Sequence, residues 1–178
     1  MSNRKKIFII NGSASRGSSN QKLIDRITDQ LKDDFQVIVY NELKTLPHFD
    51  PQLSDSDPPA PIKDLRNQVD QADGIMICTP EYIFSIPSGL KNLIEWCVST
   101  VVFSDKPTGI ITASASGQKG HEELQLIMRT VMAKFTDETT WLIQGVKGKI
   151  NEQGEIVHDS TRQEMMRFVE AFKKLMAH

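Results

Sequence analysis

The chain alternates between short, unbroken apolar runs and longer stretches in which apolar residues return every three or four positions. A short run with no polar face reads as a strand buried on both sides, whereas the i, i+3, i+4 rhythm reads as one buried face of a helix. Lys6 to Asn11 is the first such run. Ser18 then stands three residues before Gln21, a capping-box spacing, ahead of a helix whose Leu23, Ile24, Ile27 and Leu31 share a face. Phe35 to Tyr40 gives a second strand. The polar, proline- and aspartate-rich stretch from Asn41 to Ala60 reads as a loop, after which Pro61 opens a helix with Ile62, Leu65, Val69 and Ala72 on one stripe. Gly74 to Thr79 is the third strand, followed by a helix carrying Leu90, Leu93, Ile94, Cys97 and Val101. Thr108 to Ser114 is the fourth, and its helix carries Leu124, Ile127, Met128, Val131 and Phe135. Thr139 to Ile143 is the fifth. Val146 to Val157 then reads as a short hairpin turning at Asn151 to Gly154. A last helix, with Ser160 and Gln163 as a second capping box, presents Met165, Phe168, Val169, Phe172 and Met176.

Strands that alternate with helices make a parallel sheet covered on both faces. With right-handed crossovers the expected arrangement is a flavodoxin-like three-layer α/β/α sandwich, a five-stranded parallel sheet in the order 2-1-3-4-5, with residues 1–178 forming one domain. Such sheets bind ligands beyond the carboxyl ends of the strands, where the strand order reverses. The loops after strands one, three and four (Gly12 to Ser19, Pro80 to Pro87, Ala113 to Gly120) therefore converge on one site.

Charge and cysteine usage narrow the function. With 21 Lys and Arg against 23 Asp and Glu, the chain has no basic excess of the kind a nucleic-acid binder shows. No apolar run approaches the roughly 18 residues of a membrane span, and the polar start has no apolar signal region, so a cytoplasmic protein is expected. Cys78 and Cys97 lack CxxC spacing and fit small buried side chains. No His, Cys or carboxylate cluster has metal-ligand spacing.

The loops carry the chemistry. GSASRGSSN, Gly12 to Asn20, leads from a strand into a helix, whose amino terminus offers unpaired N–H groups and partial positive charge to a phosphate. Ser13, Ser15, Ser18 and Ser19 add hydroxyls, Asn20 an amide and Arg16 a full charge. Neither a Walker A loop nor GxGxxG is present. In PEYIFSIP, two prolines frame Tyr82 and Phe84, so the Tyr82 ring is expected at the loop surface, suited to the edge of a flat ligand. Glu81 is expected to favour a helix start or to position backbone. Phe84 and Ile86 suit either pocket cover or subunit contacts. His121, at the head of a helix, is expected at the surface.

These segments resemble the NADPH-dependent FMN reductase family of flavodoxin-like quinone, azo-dye and chromate reductases. The resemblance rests on GSASRGSSN and TPEYIFSIPSGLKNLIEW, with weaker support from LPHFDPQL and the loop leading to HEELQLIMR. It implies that Ser13, Ser18, Ser19 and Asn20, within a loop that also holds Ser15 and Arg16, bind the FMN phosphate. It places Pro80, Glu81, Tyr82 and the Ile83 backbone along the isoalloxazine, and Ser114 and Ser116 near its pyrimidine side or the ribityl chain. It further implies NADPH or NADH as reductant, a small-molecule acceptor and a homodimer or homotetramer. The chain departs from the pattern at Ile83, where an Asn is usual, at Ser15, where the family's Arg commonly stands, and after strand four, where Gly120, His121, Glu122 and Glu123 replace Gly-Gly-x-Arg. An FMN-binding electron carrier or sensor fits the same residues.

Overall fold

The structure, a computed structural model, describes residues 4–177. Its elements follow the expected alternation: β1 (Lys6–Asn11), α1 (Ser19–Leu31), β2 (Gln36–Tyr40), α2 (Pro51–Ser56), α3 (Ala60–Asp70), β3 (Gly74–Thr79), α4 (Ser88–Cys97), β4 (Thr108–Ser114), α5 (Gln118–Thr130), β5 (Thr140–Gln144), α6 (Val146–Lys149) and α7 (Asp159–Ala177). All the strand pairings are parallel, and the order is β2-β1-β3-β4-β5, as the sequence predicts.

Neighbouring strand residues point to opposite faces, so each apolar run feeds two cores. Phe8, Ile10, Ile75, Ile77 and Ile110 pack with α3, α4 and α5, through Leu65, Leu93, Trp96 and Leu124 among others. Ile7, Ile9, Met76, Cys78 and Ile111 pack with α1 and α7, through Leu23, Ile27, Phe168 and Phe172. Two-sided burial is why these strands show no polar alternation. Burial also raises both thiols, that of Cys97 to about 12, so they remain protonated small core groups.

Several local expectations change. The Asn41–Ala60 stretch is not irregular throughout. It holds a 3₁₀ turn at Leu43–Thr45 and α2, capped by Asp50, whose carboxylate accepts from Gln52 N at 2.9 Å. Arg66 on α3 secures that stretch by donating to the Ser54 carbonyl at 3.0 Å and the Trp96 carbonyl at 2.8 Å. Val101 lies beyond α4 and is exposed, and Val131 and Phe135 lie beyond α5. The expected hairpin keeps its turn at Asn151–Gly154, closed by the antiparallel bridge of Ile150 to Ile156, but its first arm, Val146–Lys149, is the single helical turn α6. Of the first capping box only half forms. Ser18 Oγ accepts from Gln21 N at 3.2 Å, but the Gln21 side chain turns to Asp25 and Asn11. Ser160 falls inside the first turn of α7 rather than before it.

His121 is the clearest correction. It is buried, 7% exposed, with Nδ1 2.9 Å from the Thr112 hydroxyl on β4. Thr112 points to the face that α5 covers, so the imidazole seals the helix to the sheet. Burial holds its pKa below the ordinary value near 6.5, against a smaller opposing pull from Glu122. The unfolded chain then binds this proton more tightly than the folded one. Its stability contribution is complete above the unfolded pKa and is lost as pH falls below about 6.5 toward the folded value. A His121→Asn variant should therefore lose less Tm than the wild type between about pH 7 and 5.5. Parallel Tm–pH curves for the two proteins would show that this imidazole is not a source of acid sensitivity.

Candidate functional site

The site is built where β1, β3 and β4 end side by side. Leaving β1, Gly12 donates its N–H to the Cys78 carbonyl at 2.8 Å. A Cβ there would stand 2.3 Å from Thr79 Oγ1, so only glycine lets the loop lie this close to β3. The Ser13 N–H donates to Asn11 Oδ1 at 3.0 Å, and Ser13 Oγ accepts from Ser15 N at 3.2 Å. Gly17, at φ +62°, turns the chain into α1. The backbone N–H groups of Arg16, Gly17, Ser18, Ser19 and Asn20 have no protein acceptor among the described residues. Consecutive unpaired amides at the start of a thirteen-residue helix form a concave donor set for an anion.

The β3–α4 loop is a two-residue hairpin. Tyr82 and Ser85 exchange backbone bonds of 2.9 and 3.1 Å, with Ile83 and Phe84 both at positive φ, +52° and +58°. That is the geometry of a type I′ turn, which ordinarily takes Asn-Gly. Tyr82 is exposed as expected, Ile83 is 95% exposed and Phe84 74%, while Ile86 is buried in the core.

Two carboxylates lock this hairpin to α5. Glu81 accepts from Gly117 N at 3.0 Å and Gly120 N at 2.8 Å, capping α5 from another loop. Glu123 on α5 accepts in return from Ser85 Oγ at 2.7 Å and Ile86 N at 2.9 Å. Glu81 is thus a backbone-positioning group, and the helix start it favours is that of α5 rather than α4. Ser114 Oγ adds a longer contact of 3.4 Å to the Glu81 carbonyl.

These loops enclose a cleft of 690 Å³, within the usual range for a small-molecule or cofactor site. Ser13, Ser15, Ser18, Ser19 and Asn20 form one wall, and Pro80, Glu81, Tyr82 and Ser114 another. Arg16, Ile83 and Ser116 do not line it. The Asn20 amide has a structural role as well. The residue is buried, and its Nδ2 donates to the Ala113 carbonyl at 3.1 Å while Oδ1 lies 3.4 Å from Cys78 Sγ. The side chain clamps β3 and β4 together, and its backbone N–H and the second hydrogen of Nδ2 have no protein acceptor among the described residues.

A third wall, Gly145 to Gly148, is absent from the sequence-based set. Gly145 N donates to the Ala115 carbonyl at 3.0 Å, which brings Lys147 to the cleft. Reading Val146 onward as a hairpin strand concealed it; its position directly after the last parallel strand was the available signal. Asn11 was missed too. It is buried and donates to Gln21 and Asn41, both at 2.9 Å, fixing the turn that Ser13 begins. Among the described residues, Glu81 is the only carboxylate lining the cleft, and both its oxygens are engaged by amides. Unpaired N–H groups, serine hydroxyls, one lysine and an aromatic wall therefore fit a flat, phosphorylated cofactor such as FMN.

Comparison with known proteins points the same way. Residues 5–147 match the family described as NADPH-dependent FMN reductase. A 2-hydroxy-1,4-benzoquinone reductase from a Burkholderia species is 30% identical over 174 residues, 94% of this chain and 93% of that protein. A quinone reductase of Escherichia coli K12 is 26% identical over 180 residues, 97% of this chain and 95% of that one. Among solved structures, the flavoenzyme NAD(P)H:(acceptor) oxidoreductase FerB from Paracoccus denitrificans superposes with a TM-score of 0.83 at 20% identity, covering 97% of each chain. An archaeal flavodoxin superposes with a TM-score of 0.65 at 10% identity, covering 97% of this chain and 99% of that one. Among the described residues, no helix is long and apolar enough to cross a membrane. On the match over most of its length, with the loops and sheet order that accompany it, the chain belongs to the NADPH-dependent FMN reductase family of oxidoreductases.

Proposed function

We propose that this chain holds FMN in the 690 Å³ cleft and uses NAD(P)H to reduce a small-molecule acceptor in two alternating half-reactions. The observation that carries the reading is the convergence of an unpaired amide set, an aromatic hairpin and a lysine loop on one cleft. FMN, when bound, supplies the chemistry: it accepts hydride from the nicotinamide and passes reducing equivalents onward. The amides from Arg16 to Asn20 and the hydroxyls of Ser13, Ser15, Ser18 and Ser19 hold the phosphate. Pro80, Tyr82 and Ser114 bound the space for the ring system, and Lys147 adds positive charge. Glu81 holds no substrate; it keeps the loops in register. Hydride transfer needs reacting atoms brought to roughly 3–3.5 Å, so positioning rather than side-chain acid–base chemistry is what these residues contribute. Relatives named quinone reductase and NADPH azoreductase support acceptors of the quinone or azo class, with metal oxyanions and free flavin as further members.

The test is anaerobic mixing of NADPH with the FMN-loaded protein in a stopped-flow instrument. The expected result is rapid, saturable bleaching of the oxidised-flavin band. Flavin that binds yet stays oxidised would identify a carrier or sensor instead. The phosphate assignment has its own check. Ser19→Asp adds a carboxylate at the first position of α1, which the helix tolerates, but in the midst of the amide set. FMN should bind about tenfold or more weakly, roughly 1.4 kcal/mol, while riboflavin affinity is unchanged; equal losses for both ligands would move the phosphate elsewhere.

We also infer a homo-oligomer in which a second copy covers the exposed Ile83–Phe84 tip. Replacing these residues with Asn-Gly suits the type I′ turn and should raise the stability of the isolated protomer by about 1 kcal/mol. Light scattering should show that the same variant associates less. Unchanged association would place the subunit contact on another face.

A further inference from the structure

One backbone bond fixes the orientation of three side-chain amides. Ser13 N donates to Asn11 Oδ1 at 3.0 Å, so the Nδ2 end of that amide faces away from the loop. Nδ2 uses both its hydrogens, on Gln21 Oε1 of α1 and on Asn41 Oδ1 just beyond β2, each at 2.9 Å. Because Nδ2 donates, Gln21 and Asn41 must each present oxygen to it rather than nitrogen. Asn11 is 5% exposed, so water is a poor replacement for these partners. Gln21 is held at both ends, with Oε1 on Asn11 and Nε2 donating to Asp25 Oδ1 at 2.8 Å.

Gln21 is the third residue of α1, where a Gln side chain ordinarily turns back to accept from the N-cap amide and completes a capping box. Half of that box is present, since Ser18 Oγ accepts from Gln21 N at 3.2 Å. The other half would place Gln21 Oε1 on the Ser18 N–H, which has no acceptor among the described residues. Asn11 holds that oxygen instead. Ser18 lines the cofactor cleft, and its N–H is one of the consecutive free amides from Arg16 to Asn20. A closed box would satisfy the helix and withdraw a donor from the anion site. We propose that Asn11 is a positioning residue for the cofactor, which holds Gln21 Oε1 aside and so keeps the Ser18 amide free for the phosphate. The assignment rests on the reading of this loop as the FMN phosphate site.

Asn11→Ser tests this, because a serine hydroxyl can still accept from the Ser13 N–H in the same kind of turn but is too short to hold Gln21. The first readout needs no cofactor. In the FMN-free protein, amide hydrogen exchange at Ser18 should be fast in the wild type, about tenfold slower in Asn11→Ser, and fast again in Asn11→Ser/Gln21→Ala. The second readout is affinity. Asn11→Ser should weaken FMN about tenfold, the effect of one hydrogen bond to a charged group, and leave riboflavin unchanged. Adding Gln21→Ala should return FMN affinity to within about twofold of the wild type. A residue that merely supported the loop would give the opposite sign, since removing a second side chain would deepen the loss. No recovery in the double variant would overturn the proposal, as would equal Ser18 exchange in the wild type and Asn11→Ser. Should Asn11→Ser fail to fold, Gln21→Ala decides alone. Ser18 exchanging faster there than in the wild type would show the box already closed and overturn the proposal, whereas equal rates support it. Wild-type protein that binds FMN no more tightly than riboflavin would overturn the phosphate reading itself, and with it the purpose given to Asn11, even where Ser18 exchanges as expected.

Discussion

Everything in this site hangs on the carboxylate of Glu81. A parallel sheet delivers its loops to one edge, but it does not hold them together once the strands end. Each loop leaves unpaired amides and is free to splay. Glu81, from the β3–α4 loop, places one oxygen on Gly117 N and the other on Gly120 N, closing the amino terminus of α5. Glu123 runs the exchange backwards, from α5 to Ser85 and Ile86. Hydrogen bonds to a charged group contribute about 1.5–3 kcal/mol each, more than neutral ones. Because the two carboxylates cross in opposite directions, neither loop can shift without breaking bonds belonging to the other. The placement of Tyr82 follows from that mutual constraint.

The exchange also explains the conformation of the hairpin tip. Ile83 is β-branched and sits at positive φ, and Phe84 does the same beside it. Left-handed backbone costs an ordinary residue about 1–2 kcal/mol, and a branched one finds it harder still. Tyr82 and Ser85 are already paired, and Glu123 holds Ser85, so a two-residue connection is all the loop has room for. A turn sequence of Asn-Gly would fit without strain. Ile-Phe accepts the strain and displays two apolar side chains to solvent, a combination that makes sense where those side chains meet something.

What the sequence disclosed and what it hid separate along a physical line. Strand order was legible because burial on both faces erases polar alternation, so Gly74 to Thr79 and Thr108 to Ser114 could only be central strands. The serine loop and the aromatic loop were legible because their chemistry is local: a helix start, two prolines, a displayed ring. Contacts between distant segments were not. That Glu81 positions backbone was legible, but not that the backbone it holds is the start of α5. His121 looks like a helix-head surface residue until Thr112, nine positions earlier, is seen facing it from the sheet. Nothing local to Asn20 shows that its amide also holds the Ala113 carbonyl, 93 residues away. Lys147 stayed hidden because one turn of helix leaves no periodic trace.

The β1–α1 loop shows how one short segment can serve two different surfaces. Ser13 and Ser15 line the cofactor cleft, while Gly12 and Ala14 line a second cleft, of 350 Å³, on the far side of Tyr82. With its serines lining one cleft and Gly12 and Ala14 the other, the segment is polar toward the first and nearly featureless toward the second. Tyr82 extends the same partition with a ring that borders both. The cofactor side therefore gains hydroxyl donors for a phosphate without this segment adding any to the opposite side. Only the outer pair could be exchanged: Ala14→Ser together with Ser15→Ala would move a hydroxyl from one cleft to the other, whereas Gly12 is fixed, since a Cβ there would stand 2.3 Å from Thr79 Oγ1.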